Sequence, residues 1–562
     1  MIREKGFTAK LLCYSLVAIT GLWHASDTYG AVAPKPTEAE AVRFLQQASW
    51  GPNKATMQRV QQQGIAAWID GQLKARPKVY PNLRFYPESQ PVNCVDTCAR
   101  DNYTYYQLQK HFFTNALTGQ DQLRQRAAFA LSQIFVTAQG AVPMPAWMRT
   151  YQQLLYDNAF GNYRELLFDI ALTPAMGRYL DMLNNRCQTP VPANVNICRN
   201  GSIAQPNENF AREILQLFSI GTFMMNQDGT YQTDGDGQPI PTYDQAKVEE
   251  FARVFTGWVL APPLRGVGGE VPNYKVPMVV RRNSQNQEMH HDRGAKTLLN
   301  GAVVPAGTDA EVELNFAIDN IVSHVNVAPF ISKQLIRHLV TANPSPAYVG
   351  RIAAIFSANL NAANQLGVVI KAILMDPEAR TLPDSAVDPD AGKLNEPVVF
   401  MLNFLRAFEA KSDGVLNGGS RGSAAMNQDV FRSPTVFNYY PAEYEVPGEP
   451  NLVGPVFGIF STLTTITRAN FINQVLFSGI PVSLPNTPKG TALTLKIWED
   501  LADTPVELVD RLSCWMLHCT MSQQMKTIIV NAVNTVPVTN LLLRAQTAIY
   551  LVATSNHYQV LR

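Results

Sequence analysis

Apolar residues recur every three or four positions along most of this chain, and that recurrence predicts helices. "EAEAVRFLQQAS" (38–49) places Ala41, Phe44, Leu45 and Ala48 on one face, and Gly51-Pro52 ends the run. The same period runs through "QLRQRAAFALSQIFVTA" (122–138) and "YRELLFDIALTPAMGRYLDML" (163–183), with a break expected at Thr173-Pro174. It continues at 327–340 and 347–360, which the turn "TANPSP" separates, and at 365–375, 394–410, 458–478, 505–519 and 540–554. Strand signals are confined to "KVPMVVRR" (275–282) and parts of 297–304. The pattern predicts a mainly α fold: one large multi-helix domain with long irregular loops and few short strands. The long loops are 75–103, 184–206 and 412–456, rich in Pro, Gly, Asn and Tyr.

Two segments carry charge on an otherwise ordinary amphipathic helix. In "PNENFAREILQLFSIG" (206–221), Phe210, Ala211, Ile214, Leu215, Leu217 and Phe218 fill one arc at 100° per residue. Glu208, Asn209, Arg212, Gln216 and Ser219 fill the other, with Glu213 at its margin. "EEFARVFTGW" (249–258) repeats the order Glu-x-Phe-Ala-Arg, so Glu208–Arg212 and Glu249–Arg253 are both expected as i,i+4 pairs. Exposed, such pairs are worth only a few tenths of a kcal/mol. Covered, they form a fixed charged constellation able to hold a ligand.

Composition narrows the picture. Hydrophobic residues make up 46% of the 562 and charged residues 16%, with a formal net charge of +1. No overall field draws the chain to nucleic acid, and basic residues are not interleaved with aromatics as a nucleic-acid groove needs. Arg3, Lys5 and Lys10 precede the apolar run 11–22, and "AVA" at 31–33 offers a cleavage site. Residues 1–33 are therefore read as a signal peptide, and the remainder, 34–562, as one helical domain in the periplasm or outside the cell. No later segment is long and apolar enough for a stable membrane span. Beyond Cys13, six cysteines fall into local pairs: Cys94 and Cys98, Cys187 and Cys198, Cys514 and Cys519. In an exported chain these are expected as disulfide staples on loops.

The strongest catalytic cluster is "MHHDRGAK" (289–296), where Asp292 could orient His291 as a general base. Joined to Glu208, Arg212 and Arg253 it makes a candidate acid–base site. Glu213, Trp258, Lys333, Arg337 and Arg432 are candidate ligand contacts. Lys333 and Arg337, at i,i+4 in "KQLIRHL", would receive a carboxylate, sulfate or phosphate. Tyr439, Tyr440 and Tyr444 could stack a sugar ring. Asp228, Asp234, Asp236 and Asp244 could offer oxygens to Ca²⁺, but from Asp234 the sixth and twelfth positions are Pro239 and Gln245, so the EF-hand pattern fails. No site for another metal is expected. The chain holds no GxSxG, GxGxxG, P-loop, HExxH or CxxCH.

"NENFAREILQLFSIG", "PTYDQAKVEEFARVFTGW", "HHDRGAKTLLNG" and "FISKQLIRHLVTANPSP" follow one another in this order. Together with "VRFLQQASWGP", "LNEPVVFMLNFLRAF", "FRSPTVFNYYP" and the C-terminal "RAQTAIYLVATSNHYQVLR", they resemble the bacterial domain-of-unknown-function family numbered 1800 over nearly the whole mature chain. The resemblance implies an exported, largely helical protein and assigns no reaction. It also implies a partner: genes of this family often neighbour those of an exported family numbered 1501, which is similar to sulfatases and alkaline phosphatases. The expected function is a binding or assembly protein acting with such a partner. The alternative is a secreted hydrolase of a polymer or ester.

Overall fold

The computed structural model describes residues 35–188, 197–198, 203–382, 391–481 and 490–562. The expected signal segment, 1–33, lies outside them. Among the described residues 51% are helical, and 23 α-helices are present. The strands among the described residues pair only into two-stranded sheets. The mainly α fold that the periodicity predicts is the fold observed. Pro36–Arg562 form one unit, and no described helix is long and apolar enough to cross a membrane.

Where the apolar stripe is strong, the helices lie close to their expected limits. Glu38–Ala48 starts at a capping box in which the Thr37 hydroxyl accepts from the Glu40 amide and Glu40 accepts from the Thr37 amide. Thr173-Pro174 divides Tyr163–Leu172 from Pro174–Tyr179. Pro346, Pro397 and Pro505 each open a helix at a position where a missing N–H costs nothing. Other helices escape the pattern for a physical reason. Lys54–Gln63 buries only Met57 and Val60, and Asp96–Tyr103, inside the expected 75–103 loop, buries nothing, so neither presents a stripe to read. The three cysteine pairs stand at disulfide distance, Cys94–Cys98, Cys187–Cys198 and Cys514–Cys519.

The core runs through the helix Pro397–Ala407, in which every residue is buried. Its sequence, "PVVFMLNFLRA", carries one charge, Arg406, at 4% exposure. That guanidinium donates to three carbonyls, Gly51 O at 2.8 Å, Ala116 O at 3.3 Å and Leu117 O at 2.7 Å. Gly51 sits at φ +117°, and a Cβ there would fall 2.7 Å from the Asn403 Cα. The close approach of chain to helix therefore requires glycine.

Gly51→Ala should cost about 2–5 kcal/mol, from positive-φ strain and overpacking together. Denaturant unfolding measures this; a loss under 1 kcal/mol would show that the approach can relax.

Candidate functional site

The amphipathic helix of 206–221 is observed as Asn209–Gln216, with Phe210, Ala211, Ile214 and Leu215 buried. Its expected ion pair forms. Arg212 Nη2 donates to Glu208 Oε2 at 2.8 Å and to Gln245 Oε1 at 3.0 Å, and Gln245 Nε2 donates to Glu208 Oε2 at 2.8 Å. The Arg212 and Glu208 side chains are 41% and 36% exposed, so water screens them and the pair contributes about 0.2–0.5 kcal/mol. Glu213 is buried instead, with Oε2 unpartnered; burial raises its carboxyl above the usual range, against a smaller pull from Arg212.

The echo helix, Gln245–Val254, packs against it, with Phe210 and Phe255 edge to face at 4.9 Å. Here the expected Glu249–Arg253 pair does not form. Arg253 reaches Glu250 at 2.8 Å and Asp292 at 2.9 Å, while Glu249 accepts from Gln245. Asp292 is wholly buried and has no water to solvate it, so it holds the guanidinium more firmly than a wet carboxylate can.

Asp292 and His291 belong to a closed ion network. Asp292 Oδ1 accepts from Arg253 Nη2 and, at 2.9 Å, from the Gly294 amide; Oδ2 accepts from the Cys198 amide at 2.7 Å. Burial alone would raise this carboxyl, but Arg253 and Lys296 hold it below its ordinary value. Lys296 Nζ donates to Asp292 O, Gly294 O and Glu313 Oε1 at 2.7, 3.0 and 2.9 Å. His291 Nδ1 lies 3.0 Å from Thr256 O, and its Nε2 lies 3.2 Å from Glu313 Oε2, off the line a hydrogen bond needs. The charged groups of this network come from three chain segments, and the side chains of His291, Asp292, Lys296 and Glu313 have no exposed surface. Glu208 and Arg212 form a separate surface group.

The Cys187 and Cys198 sulfurs and an Asp292 oxygen lie within 4.8 Å of one another. The sulfurs are bonded to each other, so neither is the thiolate a metal requires. The aspartates considered for Ca²⁺ bind nearby backbone groups: Asp228 takes the Thr230 amide, Asp234 the Asp236 and Gln238 amides, and Asp244 caps the echo helix. They shape a hairpin over 222–242, bridged at Phe223–Pro241, Met225–Tyr231 and Thr233–Pro239.

That hairpin forms one wall of a cleft of about 330 Å³. Asn326, fully buried, pins it: Oδ1 accepts from the Met225 amide, and Nδ2 donates to Ile220 O and Phe223 O. The opposite wall comes from the long loop, through Val436, Phe437 and Tyr440. Between them lies the helix Val327–Leu339, which presents Lys333, Arg337 and His338. Arg337 forks onto Glu443. Lys333 Nζ donates to Gly229 O at 3.3 Å and stands 5.7 Å above the Tyr231 ring. Among the described residues no carboxylate lies within ion-pair distance of it; burial, then Arg337, lower its pKa, against an opposing pull from Glu443 and Asp228.

The inner cleft is charged. Glu396 is 1% exposed; burial would raise its carboxyl, but Lys393, His338 and Arg126 together keep it below its usual value. It accepts from Gln428 Nε2 at 2.8 Å. Lys393 Nζ donates to Arg337 O and His338 O, and burial brings its pKa down to about 8. Among the described residues nothing hydrogen-bonds the His338 ring, which burial keeps neutral, with a pKa of about 4.

The family model described as "Protein of unknown function (DUF1800)" matches residues 43–560. The chain belongs to the DUF1800 family. Nothing among curated proteins or solved structures matches it. Of the residues expected to contact ligand, Lys333 and Arg337 line the cleft, while Trp258 is buried on the strand Trp258–Val259. Arg432 lies outside the cleft, 3.4 Å from Asp429 and over the Tyr105 ring. Lys393 and Glu396 were not anticipated as site residues. Their signal is present in "KLNEP": two charges directly before a helix apolar all round must be buried with it.

Lys296→Met leaves Glu313 and Asp292 short of a buried cation and should destabilise the protein by about 3–5 kcal/mol in denaturant unfolding; a neutral result would mean the network is dispensable. Acid should act through His111, His338 and His518, whose pKa values burial depresses to about 4, 4 and 3. The unfolded chain protonates them near pH 6.5, so below that it binds more protons than the folded chain. Their contribution is complete above about pH 6.5 and lost as pH falls toward 4. The melting temperature should drop across that window, and a flat profile would refute the assignment.

Proposed function

We propose that this DUF1800 protein is an exported binding protein whose cleft takes an amphipathic anion: a carboxylate, sulfate or phosphate group on an apolar or aromatic body. Lys333 carries the reading. It is a cation in a cleft walled by Phe223, Tyr231, Phe330 and Phe437, with one carbonyl contact and, among the described residues, no carboxylate within ion-pair distance. A half-buried ammonium with so few partners beside apolar walls favours a ligand that supplies both charge and hydrocarbon. The partner implied by the family resemblance, an exported phosphatase- or sulfatase-like protein, handles esters of this charge class. Export itself draws support from the basic and apolar N-terminal run and from three cysteine pairs at bonding distance.

A hydrolase is the second reading, and one observation favours it: His338 keeps a neutral, unbonded imidazole in the same cleft as Glu396. Glu208, Arg212, Arg253, His291 and Asp292 support it less, because Glu208 and Arg212 lie at the surface while His291 and Asp292 are buried.

Calorimetric titration with p-nitrophenyl phosphate and p-nitrophenyl sulfate tests both readings. Binding of at least one is expected, weakened about 10–100-fold by Lys333→Met through loss of one charge-assisted contact. Unchanged affinity in that variant would sink the cleft assignment. Release of p-nitrophenol that His338→Gln abolishes would favour the hydrolase.

A further inference from the structure

A second cavity, of about 340 Å³, opens where residues 184–186, 257–259, Arg281 and His290 meet. Backbone bonds hold it in shape. The Asn184 amide donates to Trp258 O at 2.9 Å, Gly257 to Asn185 O at 2.8 Å and Arg281 to Gly257 O at 2.8 Å, and the Cys187 amide donates to His290 O at 2.8 Å. Trp258 pairs with Val280 beneath it.

The charges of this lining are all of one sign. Arg186 and Arg281 both face the cavity, no carboxylate does, and neither guanidinium has an ion-pair partner among the described residues. Their neighbours show that the local acids are already engaged: Arg282 pairs with Glu288 and Glu311, and Arg293 with Glu288 and Asp309. Two buried ring nitrogens in the same walls also lack partners, the Trp258 Nε1–H donor on a residue 2% exposed, and His290 Nδ1. Burial, then Arg281 and Arg186, lower the His290 pKa, which puts both guanidinium charges close to its ring. A buried N–H without an acceptor costs about 1–3 kcal/mol unless something supplies one, and two unpaired guanidiniums match the oxygens of one tetrahedral anion.

We propose that this cavity is a binding site for a phosphate or sulfate group, held by Arg186 and Arg281 against the Trp258 and His290 wall. The site shares no residue with the Lys333 cleft, so its test stands apart from the function proposed above.

Calorimetry of the full chain at low ionic strength, with inorganic phosphate and separately with inorganic sulfate, reads the site directly. Arg186 and Arg281 are exposed, so the double variant Arg186→Gln/Arg281→Gln should keep its fold and its melting temperature. Binding of phosphate, sulfate or both is expected in the unaltered protein. It should weaken at least about 10-fold in the double variant and persist in Lys333→Met; the tighter of the two anions identifies the ligand. The proposal is overturned if neither anion binds, if the double variant binds as well as the unaltered chain, or if only Lys333→Met loses binding.

Discussion

A carbonyl taken out of water costs about 1–3 kcal/mol when no donor meets it, and a helical protein with long loops buries many of them. Sheets would satisfy such groups in rows, but here the sheets have two strands each. Buried arginines do it instead. Arg406 meets Gly51, Ala116 and Leu117; Arg468 meets Asn395; Arg544 meets Ala502 and Val536; Arg43 meets Ala379 and the C-terminal Arg562. Arg406, Arg544 and Arg43 each tie two or more carbonyls from separate parts of the chain, and Arg468 ties Asn395 O to the Gln559 side chain, which fixes segments that have no regular structure to hold them. The burial that makes these ties firm also lowers the pKa of Arg43, Arg406 and Arg468 to about 10.

Charge is thus scarce and mostly engaged. The same logic explains the His291–Asp292 turn: Arg253 and Lys296 compensate two carboxylates with no access to water, Asp292 and Glu313, and Asp292 also accepts from the Cys198 amide. Against that background, charges left unneutralised stand out. Lys333 in the cleft and Arg186 with Arg281 in the second cavity make no ion pair among the described residues and, unlike the arginines that tie core carbonyls together, they line cavities.

The cleft illustrates how a site is assembled from parts that mean little alone. The Asp-rich hairpin, whose aspartates suggested calcium, contributes Phe223 and Tyr231 as wall, and its acids shape the turns. The Tyr/Pro-rich loop contributes Tyr440, whose hydroxyl donates to Gln133 Oε1, and Glu443, which anchors Arg337. Lys393 and Glu396 enter because they immediately precede the most buried helix in the protein.

Local periodicity determined the mainly α fold and most helix limits, and proximity along the chain determined the three cysteine pairs, because each depends on residues near one another in sequence. Spacing also allowed Glu208 and Arg212 to pair. Whether a polar arc faces water, a closed network or a cavity was decided only by what the chain brings over it from far away. Glu208–Arg212 met one glutamine and stayed wet; Arg253, on a helix of nearly the same sequence, met Asp292 from 39 residues on and became part of the interior. Burial sets the strength of a charge's interactions, and burial is a property of the assembled structure, so the chemistry of these charges could not be read from their spacing alone.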